Sequence, residues 1–166
     1  GFVTFPEVRK LYDTTTLVFD NLDRYQEELT DAFRYYKYYF PEKPTPQVTT
    51  YLSEYTIGSF IYGDDQLAIG LDFFLGADYP YAKYNPGNPN FSNYLTRSFN
   101  QDHLAMKTIQ PLVEDLIGDE PGNRMLDIMI QEGKKFYLMD LLLPTSADSV
   151  IFEMPEKDIE WLEDNE

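Results

Sequence analysis

The chain has 166 residues, a length that fits one domain, which we predict to cover residues 1–166. Lys and Arg number 13 against 29 Asp and Glu, so the net charge is −16. That charge repels phosphate backbones, and it excludes nucleic acid and a basic lipid-binding patch as expected partners. Without cysteine the chain has no disulfide, catalytic thiol or Cys-based metal site. No run of 18 apolar residues is present to span a membrane.

The first half of the chain predicts a long helix followed by a small sheet. Apolar side chains recur at three- and four-residue steps from about residue 14 to 39, which is the pattern of one helical face, and Pro41 ends it. Segments rich in Thr, Tyr, Val and Ile predict three strands, at 48–55, 57–62 and 67–71. The turn Gly63-Asp64-Asp65 joins the last two. We expect the strands to form an antiparallel meander.

The second half predicts helices after a tyrosine-rich loop. The loop covers 77–90, one or two helical turns follow at 91–99, and longer helices are expected at 103–117, 124–142 and from 155. Pro111 predicts a kink or a fresh start, and Asn123 is the expected cap of the next helix. The fold class is therefore α+β, with long helices packed on a small, mostly antiparallel sheet.

Glycine at position 133 is unusual because it lies in the middle of a predicted helix. There it costs about 1 kcal/mol relative to alanine. An unforced Gly133 predicts that another backbone passes close to it.

The residue types on which most enzyme chemistry depends are scarce. His103 is the single histidine, and the chain has no G-x-S-x-G, glycine-rich phosphate loop or H-E-x-x-H motif. No cofactor and no metal are expected, and His103 is interpreted as an ordinary hydrogen-bonding side chain. Asp64 and Asp65 lack a calcium-loop frame and are interpreted as a solvated turn. Asp72 follows a buried strand, where its simplest role is to cap the next turn.

Aromatic side chains are frequent, with 14 Tyr and 12 Phe. The simplest interpretation of so many tyrosines is a core with polar edges. The alternative is a surface that binds a protein partner or a glycan. Tyr79, Tyr81 and Tyr84 are the candidates for such a surface.

Several blocks in a fixed order resemble the gliding-motility-associated lipoprotein B (GldB) family over about residues 35–166. The most specific are IGLDFFLG (69–76) and the closing EWLEDNE (160–166), and the others lie at 39–42, 50–53, 129–137 and 142–144. Within the two specific strings, the candidate structural-motif residues are Gly70, Asp72, Gly76 and Trp161. The linker 85–89 looks longer than the family's usual loop.

This resemblance implies an extracytoplasmic, membrane-anchored lipoprotein of the periplasm or outer membrane. Its anchor would be an N-terminal lipid-bearing cysteine outside this sequence, and its role would be linked to gliding motility or the associated protein-secretion machinery. The chain starts at Gly1 rather than Met and stops at Glu166 without a terminating signal. We therefore expect the natural chain to extend beyond both ends.

The family in turn looks like a degenerate relative of the zinc-dependent peptidases, so a zincin-like arrangement is expected. Glu132 and Gly133 fit the Glu-Gly position of the second peptidase helix. The first helix offers His103, Lys107 and Glu114 but no His-Glu pair. His103, Glu132 and Gly133 are therefore candidate vestigial-site positions, and no residue is expected to be catalytic.

Three functions follow as hypotheses. The first is a non-catalytic envelope domain that binds an unidentified envelope protein. The second is a diverged metallopeptidase-like hydrolase. The third is a glycan-binding module, which predicts a flat exposed pair of Tyr or Phe rings.

Overall fold

The computed structural model describes residues 5–63, 65–84 and 86–165. The helices are α1 (Pro6–Val18), α2 (Asp23–Tyr39), α3 (Tyr81–Tyr84), α4 (Asn93–Thr96), α5 (Leu104–Ile117), α6 (Met125–Leu142), α7 (Asp148–Ile151) and α8 (Glu156–Asp164). The strands are β1 (Gln47–Tyr51), β2 (Ser59–Tyr62) and β3 (Gln66–Gly70). Three 3-10 turns lie at Leu71–Phe73, Pro89–Phe91 and Gln101–His103. Three residues of the predicted segments lie outside the described residues: Asp64 of the acidic turn, Asn85 of the linker and Glu166 of the closing string.

The N-terminal helical region consists of two helices, so the prediction of one helix from 14 to 39 is wrong. The apolar pattern in the sequence does not reveal the break between α1 and α2, because Val18 and Leu22 both pack against the core. Between them the side chain of Asn21 accepts a hydrogen bond from the backbone N–H of Asp23 at 2.6 Å. This local bond competes with helical pairing and starts α2 anew. α1 itself begins at Pro6, whose missing N–H costs nothing at a first helical position.

The sheet has the order β1-β3-β2. β2 pairs antiparallel with β3, as expected for two strands joined by the turn at Gly63. β1 pairs parallel with β3, with Val48 beside Leu67, so the predicted meander is wrong at this strand. Residues 52–58 carry the chain from one edge of the sheet to the other instead of making a hairpin.

The inner face of the sheet carries the core. Val48, Ile61 and Leu67 pack into a cluster with buried residues of α2, α5, α6 and α7. Ile69 belongs to a second cluster with α1 and the segment that follows β3. The α+β class is therefore confirmed, with the long helices on the inner face.

In the second half one helix start differs from the prediction, and one of the two alternatives at Pro111 is wrong. α5 runs through Pro111 without a fresh start. α6 begins after Arg124 rather than after Asn123, because Asp127 accepts hydrogen bonds from the Arg124 backbone N–H and from its guanidinium. The last helix follows Pro155, as predicted.

Candidate functional site

Asp72 is a buried anchor for the loop that follows β1. Its side chain is 0% exposed. One carboxylate oxygen accepts the backbone N–H of Tyr55 at 2.7 Å, and the carboxylate also accepts the backbone N–H and hydroxyl of Ser53, each at 3.1 Å. Asp72 therefore holds a loop 17 to 19 residues earlier, instead of capping its own turn as predicted.

The anchored loop contains backbone strain. Glu54 has φ 54° and Tyr55 has φ 61°, a left-handed conformation that costs about 1 kcal/mol or more at each non-glycine residue. The charge-assisted hydrogen bonds to Asp72 offset this cost. Their net effect is to fix the direction in which the Tyr55 side chain leaves the loop.

At two positions of the IGLDFFLG string the structure requires glycine. A Cβ at Gly70 would lie 2.8 Å from the carbonyl oxygen of Ile57, so a side chain there would displace backbone. Gly76 has φ 125°, which side chains rarely permit, and its N–H donates to the Phe99 carbonyl at 3.0 Å. Gly70, Asp72 and Gly76 therefore each meet a specific local requirement of the fold.

The predicted tyrosine surface is a cluster that is largely packed on itself. Tyr55 and Tyr79 share a hydrogen bond of 2.7 Å between their hydroxyls, and the rings of Tyr79 and Tyr84 stack with centroids 5.7 Å apart. Tyr81 is 2% exposed, so its prediction as a surface residue is wrong. Its hydroxyl accepts the N–H of Leu75 at 2.8 Å, a partner that makes burial favourable.

Burial also changes the acidity of this cluster. It raises the pKa of Tyr79 to about 12 and shifts the pKa of Tyr55 and Tyr81 upward. All three phenols therefore stay neutral at physiological pH. The cluster forms one wall of a groove of about 490 Å³ beside α1, to which Glu7 and Glu54 contribute acids and Lys10 and Lys83 contribute bases.

The structure places His103 and Glu132 in separate surroundings. His103 is half-buried, its Nδ1 lies 3.0 Å from Asn100 Oδ1, and burial lowers its pKa, an effect that the Glu153 carboxylate opposes. Glu132 is exposed and pairs with Lys135 at 2.6 Å. Among residues 5–63, 65–84 and 86–165, no three His, Asp or Glu side chains are grouped to hold a metal ion. The two candidate vestigial positions thus share no ligand set in this part of the chain.

Glu153 is a carboxylate in the polar surroundings of His103, and sequence reasoning missed it. Its Oε2 lies 2.7 Å from Lys107 Nζ, and the Glu153 backbone carbonyl accepts from Arg97 at 2.6 Å. Burial works against the charge of Glu153, but Lys107 outweighs it and the pKa is lowered. Glu153 has φ 50°, and no motif surrounds it that could have signalled this position.

α6 carries apolar side chains on two opposite faces. Its buried face includes Gln131, Leu138 and Leu142. The opposite face, here called the outer α6 face, is exposed, with Leu126 at 58%, Ile130 at 49% and Tyr137 at 67%. The outer α6 face also includes Gly133. Met125 and Met129, which border this face, are 73% and 62% exposed.

Gly133 lies at the centre of the outer α6 face. A Cβ added there would meet nothing within 4 Å, so the prediction of a nearby backbone is wrong within the described chain. Trp161, expected to be structural, is 63% exposed on α8 and so contributes little to the core.

These features define a small α+β domain with a rigidly held loop and an uncovered apolar helix face. The family described as gliding motility protein GldB matches residues 1–166, and the chain belongs to this family. The family label also marks its members as lipoproteins. No curated protein and no solved structure matches the chain, and the zincin-like arrangement is therefore not confirmed. In the part of the chain that the structure describes, every helix is too short or too polar to cross a bilayer.

Proposed function

We propose that this chain is the envelope domain of a GldB-type lipoprotein, and that it serves the gliding motility machinery by binding a partner protein without catalysing a reaction. The family membership supports the link to motility and to a lipid anchor. The observation that carries the binding role is the outer α6 face.

The distribution of apolar residues on α6 is that of a helix covered on both sides. A helix at a protein surface normally presents polar side chains to water, and a helix that is apolar all round is normally buried. Leu126, Ile130 and Tyr137 are spaced by four and seven residues, so they form one continuous strip. Contiguous apolar strips of this kind mark interaction sites.

The chemistry of the strip favours a helix as the partner element. Gly133 removes the side chain at its centre, which lets a second backbone approach α6 closely. Tyr137 and Met129 are of types enriched at protein interfaces, and methionine adapts its shape to a partner.

The second candidate, a diverged peptidase, gains no support from the side-chain positions. His103 bonds to Asn100, whereas the exposed Glu132 carboxylate pairs with Lys135, so the two side chains have different partners. We therefore propose the binding role in its place.

The test is site-specific photo-crosslinking in the native host. The photoreactive amino acid p-benzoylphenylalanine replaces Tyr137 on the outer α6 face, and in a matched control it replaces Tyr38, which is 78% exposed on α2. We expect a discrete crosslinked protein from position 137 and none of the same mass from position 38. Ile130→Asp should remove that crosslink and abolish colony spreading.

Thermal unfolding of the purified variant is the control that shows whether it is folded. Ile130 is half exposed, so Ile130→Asp should unfold within a few degrees of the parent chain. The proposal is wrong if position 137 gives no crosslink, or if a folded Ile130→Asp chain supports normal spreading. One tightly bound zinc per purified chain would instead revive the peptidase hypothesis.

A further inference from the structure

The strand residues on the outer face of the sheet are uncharged, and the nearby Asp72 carboxylate, 3.2 Å from where a Cβ of Gly70 would lie, is buried. Strand pairing places eight positions side by side on this face: Gln47, Thr49, Tyr51, Phe60, Tyr62, Gln66, Ala68 and Gly70. A quarter of the whole chain is charged, yet these eight residues are all neutral. The face therefore differs in chemistry from the acidic surface around it.

Two tyrosines cross the central strand from opposite edges of the sheet. The hydroxyl of Tyr51 on β1 donates to the carbonyl of Ile57, next to β2, at 2.8 Å, so its ring passes over Gly70. The hydroxyl of Tyr62 on β2 lies 3.2 Å from Thr49 Oγ1 on β1. Small residues on β3 leave room for both rings.

Phe60 stands between the two tyrosines and completes an aromatic surface. Its ring centroid is 5.8 Å from that of Tyr51 and 5.9 Å from that of Tyr62. Phe60 is 37% exposed and Tyr62 is 41% exposed, so both rings present area to solvent. The tyrosines are tethered by their hydroxyls, so a ligand that stacks on them costs little side-chain entropy.

We propose that this aromatic face of the sheet binds an uncharged glycan. Sugar rings present C–H faces that pack on aromatic rings and hydroxyls that pair with neutral donors and acceptors. Thr49 and Gln66 supply such groups at the border of the rings. A neutral face within a chain of charge −16 selects against anionic ligands such as nucleic acids and acidic polysaccharides. Phe60 and Tyr62 are the exposed rings of this face, and their planes are inclined by 50°, so they differ from the flat pair predicted for a glycan-binding module. The face includes neither Tyr81 nor Tyr84.

The test is affinity electrophoresis of the purified chain in native gels that contain laminarin, mannan or dextran as neutral probes. Polygalacturonate serves as the anionic probe. We expect at least one neutral polysaccharide to retard the chain and polygalacturonate to leave it unretarded. The proposal fails if none of the three neutral probes retards the chain, or if the anionic probe binds as well.

Variants assign any retardation to this face. Tyr62→Ala should weaken binding by about tenfold because it removes one stacking ring. Tyr62→Phe should keep most of the binding, which separates the ring from the hydroxyl, and cooperative thermal unfolding of Tyr62→Ala shows that this variant is folded. Tyr38→Ala, distant in sequence and exposed on α2, is the neutral control. Unchanged binding by Tyr62→Ala overturns the proposal, as does a dimer that Tyr62→Ala dissociates, which would make the face a contact between copies.

The glycan proposal is independent of the partner proposal. It uses the outer face of the sheet, whereas the partner proposal uses the outer α6 face. Ile130→Asp should therefore leave polysaccharide retardation intact, and Tyr62→Ala should leave the crosslink at position 137 intact.

Discussion

Single residues set the geometry of the loop between β1 and β2. Gly70 makes room for the backbone at Ile57, and Asp72 satisfies two backbone N–H groups and a hydroxyl. These roles depend on atoms far apart in sequence.

Asp72→Asn should destabilise the chain by about 2 kcal/mol, because one oxygen becomes an N–H donor that faces other donors. For a chain of this size that corresponds to a melting temperature lower by about 4–8 °C. Calorimetry of the purified variant measures it. Asp140→Asn, at an exposed position of α6, is the control and should melt with the parent chain. An unchanged midpoint for Asp72→Asn would show that the carboxylate is dispensable.

Gly133→Ala should stabilise the isolated chain by about 1 kcal/mol, because alanine loses less backbone entropy in a helix and its methyl group meets open space. Urea unfolding measures the gain. Gly118→Ala is the matched contrast: it should destabilise the chain, because Gly118 has φ 72° at the end of α5. If Gly133→Ala instead lowers stability, the outer α6 face is not open in solution.

At the scale of elements, sequence patterns identified the pieces better than their pairing. The strand positions and the turn at Gly63 followed from residue type. The parallel pairing of β1 could not be predicted, because it depends on left-handed backbone at Glu54 and Tyr55, and neither residue type signals that conformation. A long-range carboxylate, Asp72, supplies the bonds that hold it.

The candidate site was only partly predictable for a similar reason. A tyrosine fits a core edge and a surface equally well, so the sequence could not separate buried Tyr81 from exposed Tyr84. The outer α6 face did have a signal, since Leu126, Ile130 and Tyr137 share one helical side opposite the buried Leu138. That periodicity is visible in the sequence alone.

The tyrosine cluster predicts how stability falls at alkaline pH. The folded pKa of Tyr79, about 12, exceeds the unfolded value near 10. The unfolded chain therefore loses this proton first, and the free energy of unfolding should decline as pH rises from about 10 to 12. Tyr79→Phe should reduce the decline, whereas exposed Tyr38→Phe should not. Unfolding curves at several alkaline pH values measure both, and identical declines would contradict the prediction.

At the scale of the whole molecule, the fold separates three surfaces. The inner face of the sheet is covered by helices, its outer face is neutral and aromatic, and α6 turns a second apolar face away from the core. The outer face of the sheet and the outer α6 face are thus distinct surfaces on a chain of net charge −16. Such a division is consistent with the proposed binding role.

The uncovered strip on α6 also has a colloidal consequence. Near neutral pH, electrostatic repulsion between copies of charge −16 opposes self-association through that apolar strip. Towards the isoelectric point of about 4.2 this repulsion vanishes while the strip is unchanged. Precipitation on mild acidification would then begin at α6, and Ile130→Asp would keep the protein in solution to lower pH than the parent chain.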